Sequence, residues 1–120
     1  MILVDTSIWI DHLHVARPVL IELLGRDEVG CHPLVVEELA MGSIQKRADV
    51  LGLLASLRQF PVVTHDELLE FVDAHQLWGT GLSPVDAHLL GSVLLSPGTT
   101  LWTGAKRLRA AASDVGVAFT

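Results

Sequence analysis

Apolar and polar positions alternate along this chain in short blocks, and the breaks between blocks carry most of the information. Met1-Ile2-Leu3-Val4 is a brief apolar run rich in branched residues that stops at Asp5, which reads as a strand. Thr6-Ser7 supplies hydroxyls suited to capping a helix that continues through Leu13. Arg17-Pro18 restarts a helix ending near Gly25, and the run Val29-Gly30-Cys31-His32 then meets Pro33, which at a first helical position opens a helix ending at Gly42. Over residues 46 to 59, Val50, Leu51, Leu54 and Leu57 recur at helical spacing. Pro61-Val62-Val63-Thr64 reads as a strand, and His65-Asp66 as the entrance to a helix running to about Leu77. Ser83-Pro84-Val85-Asp86 opens a helix through Leu95, Thr100-Leu101-Trp102-Thr103 is a strand, residues 105 to 112 are helical, and residues 115 to 119 close the chain. Short strands separated by helices predict an α/β fold with a parallel sheet covered on both faces.

Composition narrows this to one domain, residues 1 to 120, with no linker or repeat. Half the residues are apolar, yet no apolar run approaches the roughly 20 needed to span a bilayer, and Asp5 interrupts the start too early for a secretory signal peptide. The expected setting is the cytoplasm, with no membrane partner. The single Cys31 has no partner for a disulfide or a zinc motif and reads as a small buried hydrophobe. Formal charge is −6, from 14 acidic and 8 basic side chains, which excludes a generic nucleic-acid coating protein because such binding relies on a basic footprint. An acidic nuclease stays open if metal ions screen its centre and a local basic rim holds phosphates. Lys106, Arg107 and Arg109 are the densest basic group, and a solvated helix face is their competing explanation.

Reactive groups in parallel α/β sheets gather at the carboxyl ends of the strands. Asp5 and Thr103 both stand where a predicted strand ends, although each also suits a helix cap. Asp86 stands at the third helical position behind Ser83, where a carboxylate commonly caps the backbone. Glu38 and Glu37 are about 100° apart around their helix, so periodicity does not choose between them. Were Asp5, Glu38 and Asp86 brought together, their repulsion would call for a hard cation, and oxygen-only ligands suit Mg²⁺ or Mn²⁺. The six histidines show no metal-ligand spacing, and Ser7 has no recognisable triad partners. Trp9 and Trp102 fit apolar packing, whereas Trp78, between Leu77 and Gly79, is the tryptophan open to contact with RNA or protein.

Four ordered motifs resemble the PIN-domain family, and within it the VapC-type toxins of bacterial type II toxin-antitoxin systems. They are Leu3-Val4-Asp5-Thr6-Ser7-Ile8-Trp9-Ile10-Asp11; Glu38-Leu39-Ala40-Met41-Gly42; Leu77-Trp78-Gly79 with Gly81-Leu82-Ser83-Pro84-Val85-Asp86-Ala87-His88; and Leu101-Trp102-Thr103 followed by Lys106-Arg107-Leu108. The resemblance covers essentially the whole chain and implies a three-layer α/β/α sandwich with a central, mainly parallel sheet. It implies an endoribonuclease in which Asp5, Glu38 and Asp86 are catalytic and hold Mg²⁺ or Mn²⁺, with Glu38 selected over Glu37 by the Glu-Leu-x-x-Gly pattern. Thr6, Ser7 and Thr103 match positions that shape the same pocket, and Lys106, Arg107 and Arg109 become candidate RNA contacts. A cognate VapB-type antitoxin, a transfer or ribosomal RNA substrate, and a homodimer or toxin-antitoxin hetero-oligomer are the implied partners. Residues 46 to 59 and 15 to 24 offer apolar faces for the antitoxin, in competition with core packing.

One departure stands out. Similar toxins usually carry Thr-x-Asp after the last central strand, and this chain reads Thr103-Gly104-Ala105. A three-carboxylate site is expected to hold a second metal weakly. Two other function classes follow: a catalytically silent PIN-like interaction module, and an aspartate-based phosphatase with Asp5 as nucleophile. The phosphatase is weakened by Ser7, where its usual second aspartate would stand.

Overall fold

The computed structural model describes residues 1–120. Four strands, β1 (Ile2–Val4), β2 (Val29–Cys31), β3 (Arg58–Gln59) and β4 (Thr100–Trp102), form one sheet in the order β3-β2-β1-β4. All its pairings are parallel, with Leu3 opposite Gly30 and Leu101, and Gly30 opposite Arg58. Seven helices connect and cover it: α1 (Thr6–His14), α2 (Pro18–Gly25), α3 (Pro33–Ala40), α4 (Arg47–Ser56), α5 (His65–Ala74), α6 (Pro84–Leu94) and α7 (Lys106–Asp114). Helices α1, α3 and α4 pack as one group, and α5, α6 and α7 as another. No helix is long and apolar enough to cross a membrane.

Local chemistry explains most element boundaries. Pro18, Pro33 and Pro84 occupy first-turn positions, where a missing N–H has no helical acceptor to lose. Thr64 with Glu67, and Ser83 with Asp86, make reciprocal capping boxes at the starts of α5 and α6. At α1 the cap is Asp5 rather than the expected Thr6-Ser7 pair: its side chain accepts from the Thr6 N–H at 2.7 Å.

One apolar cluster fills the molecule, joining Leu3, Val4 and Leu101 of the sheet to Trp9, Leu39, Leu89 and Leu108 of the helices. Each such side chain contributes roughly 1.5–3 kcal/mol through removal from water. Cys31 is buried within this cluster, which pushes its thiol up to about 11 and makes it unreactive. Trp9 is buried, and Trp102 packs on Phe119 with ring centroids 5.0 Å apart.

The expected strand at Pro61-Val62-Val63-Thr64 is absent, and the helix expected over residues 46 to 59 ends at Ser56. The third strand is instead Arg58–Gln59, and its ladder ends when the Phe60 N–H donates to the Cys31 carbonyl at 2.8 Å. Pro61 has no N–H with which to continue. Gly30 accommodates this edge, because a Cβ there would overlap the Phe60 ring, whose Cδ1 would lie 2.8 Å away. Val63 turns into a small second cluster with Leu68 and Ala87.

Candidate active site

Parallel register places Asp5 and Thr103 side by side at the carboxyl ends of β1 and β4, since Val4 pairs with Trp102 and each residue follows immediately. The Asp5 N–H extends the ladder by donating to the Trp102 carbonyl at 2.9 Å. Thr103 Oγ1 donates to Asp5 Oδ2 at 2.7 Å, and Ser7 Oγ donates to the same oxygen at 3.0 Å. These hydroxyls are themselves fixed: Ala105 N–H donates to Thr103 Oγ1 at 3.0 Å and Gly104 N–H to Ser7 Oγ at 3.0 Å. Two backbone amides of the β4–α7 turn therefore orient two hydroxyls, which orient one carboxylate.

Asp5 is 6% exposed, yet every donor to it is neutral. The fold's two ion pairs, Arg17–Asp11 and Arg26–Glu22, lie elsewhere. A buried carboxylate ordinarily has a cationic or metal partner, because neutral hydrogen bonds satisfy its lone pairs without cancelling its charge.

Glu38 is tied to the same centre by Thr6, whose Oγ1 donates to Glu38 Oε1 at 2.6 Å. Both Glu37 and Glu38 are exposed, but only Glu38 receives this hydrogen bond from the residue following Asp5. Asp86 is half-buried at the start of α6, where its Oδ2 accepts from the Ser83 N–H at 3.2 Å and its own N–H donates to Ser83 Oγ at 3.1 Å. The structure thus joins Asp5, Thr6, Ser7, Glu38 and Thr103 in one hydrogen-bonded group and holds Asp86 in a separate capping box. No three acidic, histidine or cysteine side chains converge on a single cation position. In kind, the donors fit a hard divalent ion: they are oxygens, and one is a buried carboxylate with no counter-charge.

Ala105, at the departure from the usual acidic position, is the N-cap of α7 and makes no side-chain cap. Lys106, Arg107 and Arg109 are exposed at the start of that helix, which has no acidic residue in its first turn. Cations there oppose the helix dipole, so they cost helix stability instead of adding to it. Arg109 reaches the Gly104 carbonyl at 3.4 Å, and none of the three is ion-paired.

One residue next to this centre carried no usable sequence signal. His32 follows β2 as Asp5 follows β1; it is fully buried, and its Nδ1 caps α3 by accepting from the Leu34 N–H at 3.0 Å. Burial, followed by repulsion from His88, lowers its pKa to about 4, so the ring is neutral and carries its proton on Nε2. Only the position before Pro33 at a strand end hinted at a cap.

A separate groove of about 850 Å³ runs between the end of α1 and the α3–α4 connection, lined by Ile10, Leu13, Val15, Pro18 and Ile44. Of the apolar faces expected near it, Leu54 is fully buried, and Leu51 and Leu57 are half-buried against the core, so core packing takes part of that face. Val15, Val19, Ile21 and Leu53 remain exposed.

The PIN domain family model matches residues 2–113. Ribonuclease VapC32 of Mycobacterium tuberculosis, found in two strains, is 64% identical over 118 residues, covering 98% of this chain and 95% of the relative. The crystal structure of PAE2754 from Pyrobaculum aerophilum superposes with a TM-score of 0.66 over 98% of this chain and 87% of that one; at 18% identity it supports the fold alone.

Proposed function

The chain belongs to the PIN-domain family, and we propose that it is a VapC-type toxin, an endoribonuclease dependent on Mg²⁺ or Mn²⁺ and centred on Asp5, Glu38 and Asp86. The observation that carries this reading is the Asp5 carboxylate, buried at a strand end, held by three neutral donors and paired with no cationic side chain. The 64% identity to a named ribonuclease supports the reaction class.

When bound, the divalent ion supplies neutralisation of phosphate charge and acidification of water, so no nucleophilic side chain is required. Asp5 contributes a carboxylate whose orientation is set before any ligand arrives. Thr103 and Ser7 direct their hydroxyl protons to its Oδ2, and Thr6 fixes Glu38 beside it. Asp86, in the first turn of α6, is the third carboxylate of this reading; its side chain rests in the Ser83 capping box and would have to leave it to share an ion with Asp5. Ser7 is engaged as donor to Asp5 and acceptor from Gly104, a positioning role that leaves it unsuited to attack phosphorus. Ser7 stands where a phosphatase built on Asp5 would need its second aspartate as acid, which argues against that chemistry.

The substrate is a structured cellular RNA, transfer or ribosomal, and the setting is the cytoplasm. Lys106, Arg107 and Arg109 hold its phosphates. A VapB-type antitoxin occupies the groove lined by Leu13, Val15 and Ile44, where apolar side chains stand open beside α1; the toxin alone is a homodimer.

Asp5→Asn, Glu38→Gln and Asp86→Asn test the centre. Each should abolish RNA cleavage while leaving the fold intact, and chelation of divalent ions should do the same to the unaltered protein. Glu37→Gln should retain activity. Cleavage surviving in Asp5→Asn, or undiminished after chelation, refutes the metal-centred reading.

A further inference from the structure

The segment between α5 and α6 has a geometry that its role as a connection does not require. Gln76, Gly79 and Gly81 have left-handed φ values of 52°, 72° and 85°, and between them Trp78 is held 63% exposed. An indole left in water keeps its ring face open to a planar partner, and the left-handed backbone on either side of it fixes where that face is presented. Gly81 is also the seat of Arg107: a Cβ there would overlap the guanidinium, and the Arg107 Cδ would lie 2.9 Å away. The arginine from the first turn of α7 therefore lies across the backbone of this segment. Its guanidinium has no ion-pair partner and donates no hydrogen bond within the protein, so its N–H edges are free for an anion. The seat joins two segments that lead to the centre along the chain: Gly81 is two residues before Ser83, the cap that holds Asp86, and Arg107 is four residues after Thr103.

We propose that Arg107, seated on Gly81, and Trp78 form a subsite for one unpaired nucleotide flanking the scissile phosphodiester, with Arg107 holding its phosphate and Trp78 stacking on its base. The inference rests on the ribonuclease reading and adds to it a division of labour among the basic residues. Lys106 and Arg109 have no such seat and contribute general charge; Arg107 is positioned, and its planar group delivers two parallel donors to one phosphate. Stacking tolerates any base, so the subsite selects single-stranded over paired RNA without reading sequence.

The test is titration of a short single-stranded oligoribonucleotide of mixed sequence into the full-length Asp5→Asn protein, followed by tryptophan fluorescence, with steady-state cleavage kinetics in the otherwise unaltered protein. Binding should quench the exposed indole. Trp78→Leu should remove most of that response and weaken affinity about tenfold, while Trp78→Phe retains most of the affinity. Arg107→Gln should weaken binding by about tenfold and Arg107→Lys by less, whereas Lys106→Gln changes it about twofold. In the active protein these losses should appear in KM with kcat little changed. Equal effects of Arg107→Gln and Lys106→Gln, or unchanged affinity in Trp78→Leu, overturn the subsite while leaving the ribonuclease reading standing. If the unaltered protein neither binds nor cuts RNA, the reading of the function fails and the subsite with it.

Discussion

Thr103→Val is a sharp perturbation of the centre, because it keeps the shape of the side chain and deletes only the hydroxyl. That hydroxyl is buried, donates to Asp5 Oδ2 at 2.7 Å and accepts from the Ala105 N–H at 3.0 Å. A hydrogen bond to a charged group contributes about 1.5–3 kcal/mol, and the loss is at the upper end where the partner stays buried, as Asp5 does. The orphaned Ala105 N–H adds less, since that residue is half-exposed and water reaches it. A total of about 2–3 kcal/mol follows, which for a domain of this size lowers Tm by roughly 10 °C. Cleavage should fall with it, because Asp5 keeps its charge but loses one of two donors that fix Oδ2. Thr103→Ser restores the hydroxyl and should recover most of the activity. Differential scanning calorimetry without metal, paired with Mn²⁺ titration and RNA cleavage, separates the two effects. A Thr103→Val protein that melts within a degree or two of wild type and cuts at full rate would show that Asp5 is held by its other donors alone.

Three further outcomes follow from neighbouring residues. Replacing Lys106, Arg107 and Arg109 together by Gln should weaken RNA binding and reduce the slope of log K against log salt by up to about 2, at roughly 0.7 for each phosphate no longer neutralised; an unchanged slope would return them to a solvated helix face. Ala105→Asp should stabilise the protein in chelator by about 0.5–2 kcal/mol, read as a rise in Tm, because it supplies the N-cap that α7 lacks, and should tighten Mn²⁺ binding; no change in either measurement would mean that position 105 faces neither the helix amides nor the site. His32 takes up its proton near pH 4 in the folded protein and near 6.5 when unfolded, so between those values the unfolded chain binds more protons and stability drops as pH falls, by roughly 3 kcal/mol at the acid end. His32→Asn keeps an acceptor for the Leu34 N–H and should flatten this acid limb in denaturant titrations; a limb of unchanged depth would assign it to other groups.

Elements with a chemical stop or start were legible in advance. Pro33, Pro84 and the capping residues around Thr64 and Ser83 mark helix starts by local stereochemistry, and the runs at Ile2–Val4 and Thr100–Trp102 announce themselves by branched apolar content. β3 could not be read this way, since it has two residues, both exposed, and its position follows from Phe60 seating on Gly30, a packing partner 30 residues away in sequence. Within the centre, Asp5 and Thr103 were legible because strand ends are legible. The choice of Glu38 rested on resemblance; its structural counterpart is the Thr6 hydroxyl, 32 residues distant, and no local periodicity reveals such a partner. His32 is not legible in the sequence because burial, which makes it neutral, is a property of the packed fold and not of its neighbours along the chain.

The choice of hydroxyls around Asp5 has a physical logic. An arginine at hydrogen-bond distance would hold the carboxylate more strongly, but it would also cancel the charge and repel an arriving cation. Thr103 and Ser7 instead orient the group while leaving its negative charge uncompensated, and the β4–α7 turn stiffens them through the Gly104 and Ala105 amides. The cations are displaced by a few residues onto the start of α7, where they oppose the helix dipole and gain no ion pair. Acidic groups without counter-ions beside basic groups without counter-ions would be wasteful in a protein selected for stability alone. Under the proposed function they suit a ligand that brings both charges, a divalent cation at the carboxylates and a phosphate backbone at Lys106, Arg107 and Arg109, whose binding would return the stability these groups forgo.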